Sequence, residues 1–562
     1  YILRETVAPA GYNVAVEIPF EITDKLDAAQ TIVMEDTPIE VSVSKTDLQT
    51  GKNLPGATLQ IMDVEGKAII TTIYGVELKW TSDETPKSIA GLPAGNYILR
   101  EIAAPDGYKV AKDVAFTVKR NVKNNVLMED EPSKLTVSKK DMANLAENLP
   151  GATFEVQDEN GDVVRTVYNE TLRWTTTADA LVKTITGLKD GSYKLVETKA
   201  PTGYTIADPI SFTVEKGKIY RSVDGEQAEI DTIAMEDQAT EVIISKTDIT
   251  TGKELPGATL QILKKVKAAT DAGEEVEKEE IVITIYGEKL EWVSGETPKT
   301  IKGLPAGEYI LRETAAPNGY TIAKDVKFTV TDELKAAETV VMKNAPIEVN
   351  ISKTDITTDK ELPGATLQIL KKVTAEDGTT SEVIAATVYG EELQWTSGEE
   401  AKEIKGLPAG DYILREIAAP SGYTIAKDVA FTVSNDSKVT NKAVMKDQAT
   451  EVNISKVDIT NAEKELPGAT LQVMDKYGNE IVKTVYGEEL KWVSGNEAKV
   501  IKGLPAGEYT LREVSAPAGY SIAKDVKFTI TDELKAAETV TMKDAAIEAT
   551  ISKVDITNAE KE

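Results

Sequence analysis

A lysine recurs along the 562-residue chain inside the block S-K-x-D, and two further ionisable positions recur with it. The first is a glutamate in the block Y-x-L-x-E, and the second is an aspartate, once an asparagine, near the end of each repeat. An uncharged amine is a nucleophile, and the carbon of a carboxyl or carboxamide group can accept it. These residue types could therefore join two side chains through an amide bond.

The residues form five sets, one in each complete repeat. The lysines are Lys45, Lys139, Lys246, Lys353 and Lys456. The glutamates, expected to promote the reaction, are Glu101, Glu197, Glu313, Glu416 and Glu513. Pairing each lysine with the acceptor that ends its own repeat gives Lys45–Asp130, Lys139–Asp237, Lys246–Asn344, Lys353–Asp447 and Lys456–Asp544. A plain salt bridge would lose its charge partner where the acceptor is asparagine, whereas amide formation accepts either group.

The alternation of apolar residues predicts where these side chains point. In V-S-V-S-K the lysine has the same parity as two valines, and in Y-I-L-R-E the glutamate has the parity of tyrosine and leucine. In N-V-L-M-E-D the final aspartate has the parity of valine and methionine. Because side chains alternate between the faces of a β-strand, three strands each direct one ionisable side chain toward the core.

Burial changes the chemistry of such groups. A buried lysine can lose its proton, because its pKa can fall by about 3–5 units, and a buried glutamate can stay protonated near neutral pH. Such a glutamate could donate a hydrogen bond to the acceptor carbonyl and transfer protons, while water leaves aspartate or ammonia leaves asparagine. The alternative is a buried Lys–Glu–Asp cluster that never reacts, and the residue pattern alone leaves both open.

The elements that must position these residues are short strands in domain-sized repeats. Successive S-K-x-D lysines are 94 to 107 residues apart, which is the size of one small domain. Alternating stretches such as A-T-L-Q-I-M and D-V-A-F-T-V, separated by Gly- and Pro-rich turns, predict an all-β sandwich. The nine residues at 331–339 and 531–539 allow one or two helical turns, and 264–280 is expected to lengthen a hairpin tip.

The repeats divide the chain into five complete domains and two incomplete ones. The complete domains are repeat 1 (39–131), repeat 2 (132–238), repeat 3 (239–345), repeat 4 (346–448) and repeat 5 (449–545). Residues 1–38 are the C-terminal part of a truncated repeat, and 546–562 are the N-terminal part of a further one. These flanks contain Glu5, Asp36 and Lys553 without the remaining members of a set. We therefore expect this sequence to be one segment of a longer array of repeats.

Composition excludes several classes of function. The chain has no cysteine and no histidine, which argues against disulfides, thiolate chemistry, zinc sites and triads that need a histidine base. The net charge of -29 disfavours nucleic acid and anionic membranes as partners. No apolar run is long enough to cross a bilayer. We expect no cofactor, no metal and no membrane insertion.

Three other patterns have structural interpretations. One tryptophan recurs in each repeat, where core or inter-domain packing is favoured over a sugar-stacking platform: Trp80, Trp174, Trp292, Trp395 and Trp492. The block A-P-x-G-Y reads as a turn with a packing tyrosine. Repeat 2 carries an insertion before Asp237, which could shift the register of that acceptor.

The blocks S-K-T-D, L-P-G-A, G-L-P-A-G-N-Y-I-L-R-E and A-P-D-G-Y together resemble the collagen-adhesin B-type domain, also called the SpaA-type or prealbumin-like pilin domain, of Gram-positive surface proteins. The resemblance covers all five complete repeats. It implies a tandem array of Greek-key, Ig-like sandwiches, each with a glutamate-promoted Lys–Asp or Lys–Asn isopeptide bond. Position by position, those roles fall on the residues given above.

The resulting hypothesis is a structural stalk or fibre region of a bacterial adhesin or pilus, located outside the cell and associated with the cell wall. Its expected partners are further repeats or adjacent domains of a longer chain, with cell-wall attachment and any host ligand left to other regions. The alternative is a ligand-binding adhesin region that recognises a host matrix protein or glycan. An enzyme is not expected, since isopeptide formation would occur once per domain.

Overall fold

The computed structural model describes residues 1–24, 29–69, 71–223, 225–269, 275–479, 483–553 and 557. Strands and the turns between them make up this part of the chain, and none of its residues lies in a helix. The prediction of an all-β tandem sandwich array is confirmed.

The two segments that allowed a helical turn are irregular instead. Residues 331–337 and 531–537 form loops that enter strands at Glu338 and Glu538. In the first loop, the carbonyl of Asp332 accepts a hydrogen bond from the amide of Ile206 in the preceding repeat, at 2.7 Å. This backbone group is therefore directed outward to a neighbouring domain rather than along a helix.

Two short paired strands, β1 (Ile2–Leu3) and β2 (Ile18–Pro19), precede repeat 1. Repeat 1 itself shows the basic arrangement, to which the other repeats make small additions. Its strands are β3 (Glu40–Asp47), β4 (Thr58–Met62), β5 (Lys79–Thr81), β6 (Lys87–Ala90), β7 (Gly95–Ala103), β8 (Val114–Val118) and β9 (Asn124–Asp130). One sheet has the order β6-β3-β9, and the other has the order β5-β4-β7-β8. The two sheets enclose one apolar core.

The remaining repeats contain the same two sheets with small additions. Repeat 2 has β10 (Lys134–Asp141), β11 (Asn144–Asn148), β12 (Thr153–Gln157), β13 (Arg173–Thr175), β14 (Val182–Thr186), β15 (Gly191–Lys199), β16 (Ile210–Glu215), β17 (Lys218–Val223), β18 (Glu226–Ile230) and β19 (Thr232–Asp237). Repeat 3 has β20 (Glu241–Asp248), β21 (Thr259–Ala269), β22 (Glu275–Ile281), β23 (Glu291–Val293), β24 (Lys299–Lys302), β25 (Gly307–Ala315), β26 (Val326–Val330) and β27 (Glu338–Asn344).

Repeats 4 and 5 complete the array. Repeat 4 has β28 (Glu348–Asp355), β29 (Thr366–Thr374), β30 (Thr380–Ile384), β31 (Gln394–Thr396), β32 (Lys402–Lys405), β33 (Gly410–Ala418), β34 (Val429–Val433) and β35 (Asn441–Asp447). Repeat 5 has β36 (Glu451–Asp458), β37 (Asn461–Glu465), β38 (Thr470–Asp475), β39 (Lys491–Val493), β40 (Lys499–Lys502), β41 (Gly507–Ser515), β42 (Val526–Ile530) and β43 (Glu538–Asp544).

In every complete repeat the first and last strands lie side by side and run parallel. These pairs are β3 with β9, β10 with β19, β20 with β27, β28 with β35 and β36 with β43. The other strand pairs in the described part of the chain are antiparallel. The two ends of each domain therefore meet in one sheet, although most of the domain lies between them in sequence.

Each sandwich buries its own apolar cluster, and burial alternates along the strands as their sequences predict. In β9 every second residue from Asn124 to Asp130 is buried. The recurring tryptophans are partly buried and pack against these clusters, so core packing is the interpretation that the structure supports.

Insertions extend the sheets at their edges and leave the cores intact. In repeat 3, β21 and β22 pair as a long hairpin, and the residues at its tip, 270–274, lie outside the described residues. In repeat 2, the insertion before Asp237 forms the hairpin β17–β18, which continues the sheet beyond β16.

The strand β33 offers a direct test of this core, because its two faces differ. Leu414 is fully buried, whereas Ile417 is 44% exposed. We expect Leu414→Ala to destabilise repeat 4 by about 2–5 kcal/mol, the usual cost of an emptied core position. The measurement is the urea concentration at which peptides of repeat 4 lose hydrogen-exchange protection. Ile417→Ala is the matched control, and an equal effect of both substitutions would contradict the assigned faces.

Candidate cross-linking site

The lysine and the acceptor of each repeat lie on the two parallel strands that begin and end the domain. In repeat 1 the ladder places Lys45 opposite Met128, and it places Asp47 opposite Asp130. Lys45 and Asp130 therefore share a face but are offset by two residues. The long lysine side chain spans this offset along the strand direction.

The glutamate reaches the same point from the facing sheet. Glu101 lies on β7, and its Oε1 is 3.0 Å from the Nζ of Lys45. The corresponding distances in the other repeats are 2.8–3.0 Å. Each site thus draws on both sheets across the core of its sandwich.

The lysine Nζ also contacts an oxygen of the acceptor in every complete repeat. The contacts join Lys45 to Asp130, Lys139 to Asp237, Lys246 to Asn344, Lys353 to Asp447 and Lys456 to Asp544. The structure therefore brings together all fifteen residues of the five sets, each lysine with the glutamate and acceptor of its own repeat. The insertion in repeat 2 does not displace Asp237, whose contact with Lys139 matches those of the other repeats.

These groups are almost inaccessible to water. None of the fifteen residues is more than 4% exposed, and the five acceptors have no exposed surface. Lys45 lines one cavity together with Leu59 and Trp80, of which Leu59 belongs to the apolar core of repeat 1 and Trp80 packs against it. Charges in such surroundings must be satisfied by one another, because solvent cannot reach them.

A backbone amide fixes the glutamate, and sequence reasoning missed this contact. The amide of Ala111 donates to Oε2 of Glu101 at 2.5 Å. The equivalent amide, ten residues after the glutamate in each case, donates to the other four glutamates at 2.6–2.8 Å. Each donor is the third residue after the tyrosine of A-P-x-G-Y. The constant spacing from the glutamate to that block is the sequence signal that could have revealed it.

Repeat 3 shows which acceptor atom faces the glutamate, because amide nitrogen and oxygen differ. Nδ2 of Asn344 donates to both carboxylate oxygens of Glu313, at 2.9 and 3.0 Å, and to the carbonyl of Thr321 at 3.1 Å. Its oxygen instead accepts from the Nζ of Lys246. In repeat 1 the corresponding oxygen, Oδ2 of Asp130, has no hydrogen-bond donor among the described residues.

Burial shifts the titration of several of these groups. Desolvation raises the pKa of Asp130, Asp237 and Asp447 to about 7, against the opposing effect of the adjacent lysine. The pKa of Asp544 is raised for the same reason, and desolvation lowers the pKa of Lys246. Both directions favour uncharged reactants. A protonated carboxyl group was expected at the glutamate from the sequence, whereas the raised pKa values favour one at the acceptor of the aspartate repeats.

The unpaired residues of the flanks retain parts of this geometry. Oε2 of Glu5 accepts a hydrogen bond from the amide of Ala15 at 2.7 Å, which is the same ten-residue contact. Desolvation and the nearby Glu5 raise the pKa of Asp36. Lys553 is exposed.

Other kinds of site do not emerge from the described ranges. They contain no group of three or more acidic side chains placed to hold a metal ion. In the same ranges, no helix is long and apolar enough to span a membrane.

Comparison with solved structures returns distant likenesses to bacterial proteins, among them two pilins. The Bacillus anthracis TIE protein is 20% identical, with a TM-score of 0.30 and coverage of 71% of this chain and 70% of that one. The major pilin SpaD from Corynebacterium diphtheriae is 16% identical, with a TM-score of 0.26 and coverage of 56% and 96%. The shaft pilin SpaA from Lactobacillus rhamnosus GG is 16% identical, with a TM-score of 0.19 and coverage of 36% and 99%. No curated protein sequence matches the chain.

The family model provides the decisive match. The model described as SpaA, prealbumin-like fold domain, matches residues 39–132, 133–228, 240–346, 347–449 and 450–546. Its second match ends before Asp237, in the hairpin that is particular to repeat 2. The matches together span well over half of the chain, which therefore belongs to the SpaA prealbumin-like fold domain family as a tandem array.

Proposed function

We propose that this chain is a structural stalk of a Gram-positive cell-surface adhesin or pilus, and that an isopeptide bond closes each of its five complete repeats. Each bond would form within its own domain, between the lysine and the acceptor paired above. One observation carries the proposal. In repeat 3 a single carboxylate, that of Glu313, contacts both the attacking and the leaving nitrogen.

The geometry of repeat 3 supports a complete path for the protons. Nζ of Lys246 lies 3.0 Å from Oε1 of Glu313, so the glutamate can take a proton from the ammonium group. The free amine then attacks Cγ of Asn344. Glu313 returns that proton to Nδ2, which already contacts both of its oxygens. The attacking nitrogen must lose a second proton to become an amide nitrogen, and Glu313 takes this one and keeps it. The bond from Cγ to Nδ2 breaks, ammonia leaves, and the new amide joins the two side chains.

The aspartate repeats need one more proton at the acceptor, because water rather than hydroxide must leave. The pKa of Asp130, raised by desolvation to about 7, supports a neutral carboxyl group there at neutral pH. The nearby carboxyl group of Glu101 raises the pKa of Asp130 further. The hydroxyl group of the protonated Asp130 would leave as water, together with a proton that Glu101 takes from the lysine.

The position of the bond suits a load-bearing element. It would join β3 to β9, the first and last strands of the domain. Tension entering at β3 would pass through the side chains of Lys45 and Asp130 directly to the next repeat. The intervening residues, which include most of the core, would carry none of it.

The same bond would stabilise each domain against unfolding. Lys45 and Asp130 are 85 residues apart, and in the chain-entropy treatment of cross-links a loop of this size contributes about 4–5 kcal/mol. A cysteine-free protein cannot obtain this contribution from disulfides. The expected partners of the stalk are its own neighbouring repeats and further domains of a longer surface protein.

The proposal predicts the mass of the intact chain. We expect it to lie below the sequence mass by four waters and one ammonia, the ammonia coming from Lys246 and Asn344. Mass spectrometry of the denatured protein measures this deficit. As a control, Asn344→Asp should replace the lost ammonia by a fifth water. An intact mass equal to the sequence mass would refute the bonds.

The role of the glutamate is tested in repeat 3. Glu313→Ala removes the group that moves the protons but keeps both reactants, so we expect the loss of ammonia to disappear while four waters are still lost. Glu313→Gln, which preserves the size of the side chain, should behave in the same way. Glu308→Ala, an exposed position on the same strand β25, should keep the full deficit. Retention of the ammonia loss in both Glu313 variants would assign the role elsewhere.

Replacing one of the buried lysines should reveal how much stability a repeat loses when its buried carboxyl group ionises. In Lys353→Met, Asp447 stays buried with its pKa raised far above its ordinary value. Lys353 lowers this pKa, so removing the lysine should raise it above the value of about 7 that Asp447 has beside Lys353. A group with a raised folded-state pKa gives stability that is present below its unfolded pKa and is lost as pH rises toward its folded pKa. We therefore expect repeat 4 of this variant to unfold at lower urea at pH 8 than at pH 5.5.

Hydrogen exchange of repeat 4 peptides, corrected for intrinsic rates, measures this difference. Lys371→Met, an exposed position in the same repeat, is the control and should show no such loss. If the two variants shared one pH dependence, Asp447 would not be the titrating group.

A further inference from the structure

A second carboxylate, which the cross-linking site does not use, lies at the joint between repeats 4 and 5. Asp355 is the aspartate of S-K-x-D in repeat 4, and it is 2% exposed. Its Oδ1 accepts the amides of Thr357 and Thr358 in its own turn, at 2.6 and 3.0 Å. Its other oxygen, Oδ2, is left for groups outside that turn.

Two tyrosines from two different repeats donate to that oxygen. The hydroxyl of Tyr423, in the A-P-x-G-Y block of repeat 4, is 2.7 Å from Oδ2 of Asp355. The hydroxyl of Tyr486, in a tight turn of repeat 5, is 2.9 Å from the same atom. The two rings meet edge to face with their centroids 6.4 Å apart. A single buried carboxylate thus links consecutive domains.

The charge on this carboxylate is maintained by its donors. Desolvation alone would raise the pKa of Asp355, but the hydrogen bonds from Tyr423, Tyr486 and the turn amides lower it below its ordinary value. The group therefore stays ionised near neutral pH, and hydrogen bonds to a charged acceptor are stronger than neutral ones.

Backbone contacts hold the two repeats close at the same point. The amide of Thr450 in repeat 5 donates to the carbonyl of Gly422 in repeat 4 at 2.9 Å. Within repeat 5, the amide of Gly503 donates to the carbonyl of the same Thr450 at 2.8 Å. Gly422 has φ of +80°, and a Cβ there would lie 2.5 Å from Val485. Only glycine allows this approach, so the block A-P-x-G-Y supplies both the close contact and the tyrosine.

The same arrangement recurs at the other joints between complete repeats. The sets, each with one aspartate and two donating tyrosines, are Asp47 with Tyr108 and Tyr168, Asp141 with Tyr204 and Tyr286, and Asp248 with Tyr320 and Tyr389. In each set the first tyrosine belongs to the same repeat as the aspartate, and the second belongs to the following repeat. The recurrence indicates a surface built for a second copy of the same module.

We propose that the aspartate of S-K-x-D and the tyrosine of A-P-x-G-Y form a socket that recognises the turn tyrosine of the following repeat. The socket would fix the orientation of each domain relative to the one before it, so that the array stacks head to tail in one geometry. This inference adds detail to the proposed stalk function. It rests on that function for the purpose of the joint, whereas the geometry of the joint does not depend on it. The joint and the cross-links are separate structures that different measurements test.

Distances between spin labels in neighbouring repeats test the joint in the whole chain. The chain has no cysteine, so Lys442→Cys in repeat 4 and Lys527→Cys in repeat 5 give two unique labelling sites, both exposed. We expect a narrow distance distribution between the two labels. Adding Tyr486→Phe removes a hydrogen bond to a charged acceptor, which should raise the ratio of open to closed joints by roughly tenfold or more and broaden the distribution.

Tyr477→Phe in the same repeat is the matched control, because Tyr477 is 76% exposed and lies away from the joint. It should leave the distribution narrow. An intact mass that keeps its full deficit in both variants would show that the domains still fold and cross-link. A broad distribution before any tyrosine is changed, or a distribution that Tyr486→Phe leaves as narrow as before, would overturn the socket.

Discussion

The cost of burying a lysine in an apolar sandwich governs the architecture of every repeat. An ammonium group that water cannot reach needs partners of opposite charge, and in repeat 1 the Nζ of Lys45 contacts the carboxyl oxygens of Glu101 and Asp130. Conversion of the amine and the carboxyl group into a neutral amide would remove that cost permanently. Three features position the lysine, the glutamate and the acceptor. They are the alternation of side chains along each strand, the parallel pairing of the first and last strands, and the reach of the glutamate across the core.

Much of this could be predicted from the sequence, because alternation is a property of each strand by itself. The parity of V-S-V-S-K, Y-I-L-R-E and N-V-L-M-E-D predicts that Lys45, Glu101 and Asp130 face inward, and all three are buried. Parity cannot reveal which strands are neighbours. The parallel pairing of β3 with β9 depends on how the two sheets assemble, and it was not predicted from the sequence.

The contacts that the sequence analysis missed are made by turns. The phenol of Tyr108, which donates to Asp47, belongs to the block A-P-x-G-Y, which reads as a simple turn. The amide of Ala111, which donates to Glu101, lies three residues after that tyrosine. Turn residues show no periodicity, so their partners depend on the path of the chain in three dimensions. The irregular segment at 331–337 illustrates the same limit, since its carbonyl at Asp332 serves a neighbouring repeat.

The pairing of first and last strands also affects how the array would respond to proteolytic damage. Once Lys45 and Asp130 are joined, the 85-residue separation between them becomes a closed ring of covalent bonds. A protease that cuts one exposed loop opens that ring without severing the molecule, because the side-chain bond still connects both ends. With five such rings in series, the protein could be cut once within each ring and all of its fragments would still be covalently connected.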